Sequence, residues 1–355
     1  MSAEKNTVGN AKHQGAVGKT LLARGPNSAI MAALLLSVLL SIATPRFLSI
    51  ENIHVLSYGI ADLALVAFAQ MVVLAAGGMN ASIGAIGGLV TVAVGGLMEG
   101  LGVPPVLAII GGLLLGVGCG VLNGVLIVRM RLSPFIITLA TASIFTGLNL
   151  GLTSGQPYYH LPDSFRSLGA WNVAGVPGLL FVTLLYAVAL AFLFRSTGIG
   201  RQILAMGGNS RAAELAGVPI ERCLIVVNAL SGFLAASAAI ILTARIGAAQ
   251  PSVGEDWLLS SFAAPIIGGT SLAGGYLSVP GAFVGALLLT LVSNGLIHLQ
   301  IDVFWTAFFS GLIILAAGGV DRIRALNSER LDREQRRHAL ARPVASLGQG
   351  TPTKA

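Results

Sequence analysis

The stretch GRQILAMGGNSRAAELAGV, residues 200–218, is a polar island past the middle of a chain that is otherwise strongly apolar. It reads as a turn, a short capped helix and a second turn. Asn209 or Ser210 supplies the N-cap, Gly217 closes the helix in the left-handed conformation, and Pro219 blocks its continuation. A helix this short does not persist alone in water, so it needs a surface to dock on. On a loop of a membrane protein, such a helix points to a cytosolic partner.

Composition sets the class. Of 355 residues, 55% are hydrophobic and only 10% charged, against about 25% charged in soluble domains. The chain is therefore expected to be an all-α polytopic membrane protein. The net charge of +7 sits on a minority of loops and tails beside long apolar runs, which fits membrane topology and predicts no nucleic-acid partner. Cys119 and Cys223 fall in or beside apolar segments, where cysteine acts as a small hydrophobe, so neither a disulfide nor a metal site is expected.

Runs able to cross roughly 30 Å of hydrocarbon are read at 28–44, 54–76, 82–98, 104–128, 133–153, 177–194, 223–243, 258–273, 280–298 and 304–320. This register puts Lys5, Lys12, Lys19, Arg24, Arg129, Arg131, Arg195, Arg201, Arg211, Arg222 and the tail from Arg322 on one face, and Arg46, Arg166 and Arg245 on the other. The positive-inside rule makes the first face cytoplasmic. The expected organisation is a polar cytoplasmic tail over 1–27, one membrane domain over 28–320 with a cytoplasmic loop at 195–222, and a basic cytoplasmic tail over 321–355. Lys19 and Ser41-Ile42-Ala43 resemble a secretory signal, but the long leader and the nine further spans favour an uncleaved first helix. Residues 154–176 form the largest external loop, in which His160 reads as a solvated residue.

Glycine recurs every fourth residue at Gly112, Gly116, Gly120 and Gly124, and again at Gly84 and Gly88 and at Gly281 and Gly285. Such a ridge serves either tight packing within the chain or a sliding or dimer-forming helix pair. GAVGKT at 15–20 mimics the end of a phosphate-binding loop, but His13 occupies the required first glycine position and no strand precedes it. The chain lacks the constellations of common hydrolytic or metal chemistry. If ATP drives it, another subunit binds the ATP. Among ionisable groups in the spans, only His298 near a span end is read as available for ion coupling.

Three ordered motifs carry a family resemblance. The run Gly200–Gly217 resembles the coupling loop of ribose-type permeases of ABC importers. GGMNASIG at 77–84 is similar to that family's G-G-x-D-x-S-x-G motif, and GGTSLAGG at 268–275, followed by Pro280-Gly281 and Ser293-Asn294-Gly295-Leu296, resembles its C-terminal run. The resemblance spans roughly residues 50–320. It implies an ABC importer permease of the ribose/branched-chain amino acid type with about ten transmembrane helices. It further implies a second permease subunit around a central path, a cytosolic ABC ATPase pair that uses ATP and Mg, and an extracytoplasmic solute-binding protein. The chain itself then binds no cofactor and sits in the bacterial inner membrane with both termini cytoplasmic. The residues implied in coupling to the ATPase are Arg201, Gly207, Gly208, Asn209, Arg211, Ala212, Ala213, Glu214, Leu215 and Gly217.

Asn80 stands where the family usually has aspartate, and Ala81 where it has leucine. Asparagine keeps hydrogen-bonding capacity without the charge. The break at 77–82 exposes backbone that lipid cannot satisfy, so it faces protein or a water-lined cavity. Asn80 and Ser82 are accordingly either part of a translocation gate or an internally satisfied helix break. Asn123, Asn149 and Asn294 are either interhelical links or transient sugar contacts, and Thr270 and Ser271 complete the expected path. The cargo expected from so few intramembrane charges is a neutral polyhydroxylated solute.

Overall fold

The computed structural model describes residues 27–173 and 175–301, together with residues 305, 308, 309, 311, 312 and 315. Most of both tails and most of the span expected at 304–320 lie outside the described residues. The helices are α1 (Asn27–Ala43), α2 (Ile50–Ala75), α3 (Ile83–Gly95) continued by a π-helical turn (Gly96–Gly100), α4 (Pro105–Met130), α5 (Pro134–Thr153) and α6 (Asp163–Ala170). They continue with α7 (Gly178–Ser196), α8 (Gly198–Gly208), α9 (Ser210–Leu215), α10 (Ile220–Ile246), α11 (Trp257–Ile267) and α12 (Val279–His298). Between α6 and α7, β1 (Asn172–Val173) and β2 (Val176–Pro177) form a small antiparallel hairpin.

Local chemistry sets the helix ends. Ser49 Oγ accepts from Asn52 N–H at 3.2 Å at the start of α2, and Ser278 Oγ accepts from Gly281 N–H at 3.1 Å at the start of α12. Pro105 and Pro134 open α4 and α5, where a missing N–H removes no helical bond. α4, α5 and α10 are each followed by a left-handed residue, Arg131, Ser154 and Gly247 respectively.

Seven of the described helices are long and apolar enough to cross a membrane: α2, α3 with its π turn, α4, α5, α7, α10 and α12. α1 and α11 are apolar but shorter. The crossing expected at 258–273 needs correction. α11 stops at Ile267, because Gly268 and the left-handed Gly269 turn the chain, and Thr270 N–H returns to Pro265 O at 2.8 Å. The external loop expected at 154–176 carries the amphipathic α6 and the hairpin. Within it His160 is exposed, as expected, but its backbone N–H also donates to Glu99 Oε2 at 2.8 Å.

α2 is the hub. In its most apolar window 83% of residues are buried, against 28% in α4, α5 and α7, so α2 is surrounded by protein while the other three offer broad faces to lipid. Around it pack α10, α12, α11 and α7. The most extensive pairing is between α4 and α10, and the glycine ridge explains it. A Cβ on Gly116 would meet Gly232 O at 2.6 Å, one on Gly124 would meet Ile225 Cα at 2.6 Å, and one on Gly120 would collide with Asn228 O. Gly84 and Gly88 likewise lie against Gly254 and Val253, and Gly281 and Gly285 against Gly268 and Ala264. All three glycine repeats serve packing within the chain.

Gly116→Leu or Gly120→Leu is therefore expected to force α4 off α10 and to destabilise the fold by about 3 kcal/mol or more. Yield of monodisperse protein and thermal stability in detergent measure this, and wild-type values in both variants would contradict the contact.

Candidate functional site

Between α2 and α3, residues 76–82 leave the helix inside the bundle. Asn80 organises this break. Its Nδ2 donates to Ser231 Oγ of α10 at 3.0 Å, and its Oδ1 accepts from Ser82 N–H at 2.9 Å and from Ser82 Oγ at 2.7 Å. Asn123 of α4 donates to Ser82 Oγ at 2.8 Å and accepts from Thr141 Oγ1 of α5 at 2.7 Å. Thr138 Oγ1, also on α5, accepts from Ala81 N–H at 3.0 Å and donates to Pro134 O at 2.8 Å. Gln70 of α2 clamps the Asn80 backbone: in the amide orientation that satisfies both groups, it donates to Asn80 O at 3.0 Å and accepts from Asn80 N–H at 3.3 Å. Gln70, Asn80, Ser82, Asn123, Thr138 and Ser231 are all fully buried. The result is a closed polar knot tying α2, α4, α5 and α10 to one non-helical segment.

The residues expected along a path thus divide. Asn80, Ser82 and Asn123 come together in this knot. Asn149 lies apart and donates to Pro251 O at 2.7 Å. Asn294 of α12 forms a reciprocal amide pair with Asn52 of α2, at 2.7 and 3.2 Å. Thr270 and Ser271 lie in the turn after α11, where Ser271 N–H donates to Tyr276 O at 3.2 Å. Sequence reading missed Gln70, Thr138, Thr141 and Ser231. The available signal was a lone polar residue in an apolar run, clearest for Gln70 inside AFAQMVV at 67–73.

A second omission needs correction. His298 is not the only ionisable side chain available in the spans, because Asp62 sits within α2, 8% exposed. Its Oδ2 accepts from Arg245 Nη1 of α10 at 3.1 Å, and that guanidinium lies 5.9 Å from the centre of the Tyr58 ring. Arg245 belongs to the last turn of α10 rather than to a loop. An open cleft of about 560 Å³ beside it is lined by Tyr58, Asp163, Arg166 and Arg245.

The polar island at 200–218 also departs from expectation. Residues 200–208, read as a turn, belong to the eleven-residue helix α8, N-capped by Thr197, whose Oγ1 accepts from Gly200 N–H at 3.2 Å. Burial of Ile203 and Met206 on one face holds this helix against the bundle. Asn209 caps α9, with its Oδ1 accepting from Ala212 N–H at 3.0 Å. Gly217 closes α9 at φ +82°, and Val218 N–H returns to Ala213 O at 3.0 Å. Arg201, Gly208, Asn209, Arg211, Ala212, Glu214 and Gly217 are exposed, and Leu215 is 86% exposed. Ala213 is buried, and Gly207 faces the membrane helices, where an added Cβ would collide with Ala75 O.

The family model for the permease component of the branched-chain amino acid transport system matches residues 52–318. The chain belongs to this permease family. The ribose import permease of Bacillus subtilis (strain 168) is 37% identical over 290 residues, covering 81% of this permease and 90% of that relative. The D-allose transport system permease of Escherichia coli (strain K12) is 33% identical, covering 82% and 89%. The autoinducer 2 import system permease of Escherichia coli (strain K12 / DH10B) is 32% identical, covering 89% and 91%. No solved structure matches the permease.

The knot makes a graded prediction. Asn80→Leu removes the acceptor of Ser82 N–H and the donor to Ser231, leaving buried groups unsatisfied at about 1–3 kcal/mol each. Asn80→Asp retains the acceptor and lets the Ser231 hydroxyl reverse and donate. Detergent melting temperatures are expected in the order wild type, Asn80→Asp, Asn80→Leu. Equal stability of Asn80→Leu and wild type would remove Asn80 from the knot, and near-normal uptake by folded Asn80→Leu would exclude it as a required polar gate residue.

Proposed function

We propose that this permease is the membrane-spanning subunit of an ATP-driven, binding-protein-dependent importer of a neutral sugar or sugar-like solute. The observation carrying this reading is the α8–α9 element, which presents Leu215 and its charged neighbours on two capped helices in a chain of the permease family. ATP and Mg are used by a separate cytosolic ABC ATPase that docks on α9. An extracytoplasmic binding protein delivers the solute, and a second permease subunit, identical or different, completes the central path. The subunit lies in the bacterial inner membrane with both termini cytoplasmic. Residues 28–320 form one permease domain, 195–222 its coupling loop, and 1–27 and 321–355 its cytoplasmic tails. Arg201, Gly208, Asn209, Arg211, Ala212, Glu214 and Leu215 make up the outward-facing part of the coupling surface, while Ala213 and Gly217 shape α9.

The relatives named for ribose, D-allose and autoinducer 2 support a sugar-like cargo. Asp62 does not favour ion coupling, because Arg245 already neutralises it at 3.1 Å. The remaining alternative cargo is a nucleoside or another small polar solute. Titrating the cognate binding protein with pentoses, hexoses, polyols, nucleosides and branched-chain amino acids, then measuring ATP-dependent uptake in proteoliposomes, decides it. A sugar or polyol is the expected ligand, and a protein that takes up only amino acids would overturn the reading.

Coupling gives a separate test. A Cβ at Gly217 meets nothing within 4 Å, so any effect of Gly217→Val comes from the positive φ alone. A β-branched residue there costs about 1–3 kcal/mol of backbone strain and should unwind the exit of α9. Reduced solute-stimulated ATP hydrolysis with intact folded yield is expected, and wild-type coupling in this variant would exclude the role of the α9 turn.

A further inference from the structure

The three sequence motifs are distant along the chain yet meet at one backbone contact. Ala75 O, the carbonyl at the end of α2, accepts from Gly275 N–H at 2.9 Å. Gly207, near the end of α8, packs so closely there that a Cβ would collide with Ala75 O and lie 2.7 Å from Gly275 N. A Cβ on Gly274 would lie 2.6 Å from Gly207 O and 2.8 Å from Gly77 Cα, and one on Gly275 would lie 2.7 Å from Gly208 Cα. Gly77, Gly274 and Gly275 all have positive φ, at 78°, 86° and 76°. The contact therefore joins the coupling helix, the break that holds the Asn80 knot and the turn that carries Thr270 and Ser271, with no side chain at its centre.

We propose that this glycine joint, formed by Gly207, Gly77, Gly274 and Gly275 around Ala75 O, is the point where displacement of the coupling helices enters the membrane bundle. The proposal rests on the reading of α8–α9 as the ATPase-docking element. Backbone contacts without flexible side chains have little slack, so a shift of α8 moves the end of α2 and the α11–α12 turn together. The break is then displaced directly, and the knot passes the displacement to α4, α5 and α10. Gly207 is a positioning residue here, acting through the break and touching neither solute nor nucleotide.

The test uses the full transporter in nanodiscs. Cys119 and Cys223 are buried, so a fluorophore on Met79→Cys, which is 38% exposed in the break, reports that segment. A second probe on Ser210→Cys, exposed on α9 and outside the proposed coupling contacts, reports docking. Trapping ATP on the ATPase with vanadate should shift both probes in the parent. Gly207→Ala should keep the Ser210 response, abolish the Met79 response and lower solute imported per ATP about tenfold, the scale of a coupling free energy between sites. Gly198→Ala, on the same helix with nothing within 4 Å of its Cβ, should behave as the parent. Should Gly207→Ala not fold, the two parent probes decide. A Met79 probe that stays silent while Ser210 responds overturns the joint and leaves docking standing, whereas silence of the Ser210 probe overturns the docking reading and the joint with it. A full Met79 response in folded Gly207→Ala also overturns the joint, because a merely structural role lowers folded yield without separating the two probes.

Discussion

Hydrocarbon offers no hydrogen-bond partner, so every backbone group that leaves a helix inside the bilayer must be satisfied by the protein, at several kcal/mol for each failure. The segment between α2 and α3 meets this constraint group by group. Gly77 and Gly78 N–H return to Leu74 and Val73 carbonyls at 2.9 and 3.0 Å, Gln70 takes both backbone groups of Asn80, Thr138 accepts from Ala81, and Asn80 accepts from Ser82. Because these partners stand on α2, α4, α5 and α10, satisfying one break also sets where four helices sit. The knot is thus a device of position as much as of stability.

Glycine supplies the complementary constraint. Where two backbones touch, as Gly116 does with Gly232, a helix pair has a single close approach and no rotamers through which to relax. α10 is held this way along α4 and runs without a proline from Ile220, just after the α9 turn, to Ile246 at the opposite end of the bundle. At that end the Arg245–Asp62 pair ties it to α2. Asp62 is buried but Arg245 is exposed on the open cleft, so solvent screens the pair and the tie positions the two helices more than it stabilises them. Only one Asp62 oxygen is engaged; Oδ1 has no partner among the described residues.

Much of this architecture was legible in the chain before any fold was known. Apolar run length determined the membrane class and the approximate place of most described spans, because crossing hydrocarbon is a requirement on local composition. Capping chemistry put the start of α9 at Asn209 or Ser210 and its end at Gly217, because a cap acts over three or four residues, and the structure selects Asn209. The breaking power of Gly268-Gly269 was locally present too, but a hydropathy window averages across it, and a span was read where α11 stops at Ile267.

Tertiary structure alone decided what the polar residues do. Asn80 and Ser231 are 151 positions apart and Asn52 and Asn294 are 242 apart, and no local pattern pairs them. Gly207 reads as part of an outward-facing loop, yet the fold turns it inward onto Ala75, because burial of Ile203 and Met206 fixes the face that α8 presents to the bundle. Composition and spacing determine which groups cannot face lipid. Which partner relieves each of them depends on how helices distant in sequence pack side by side, and that is settled only when the whole bundle closes.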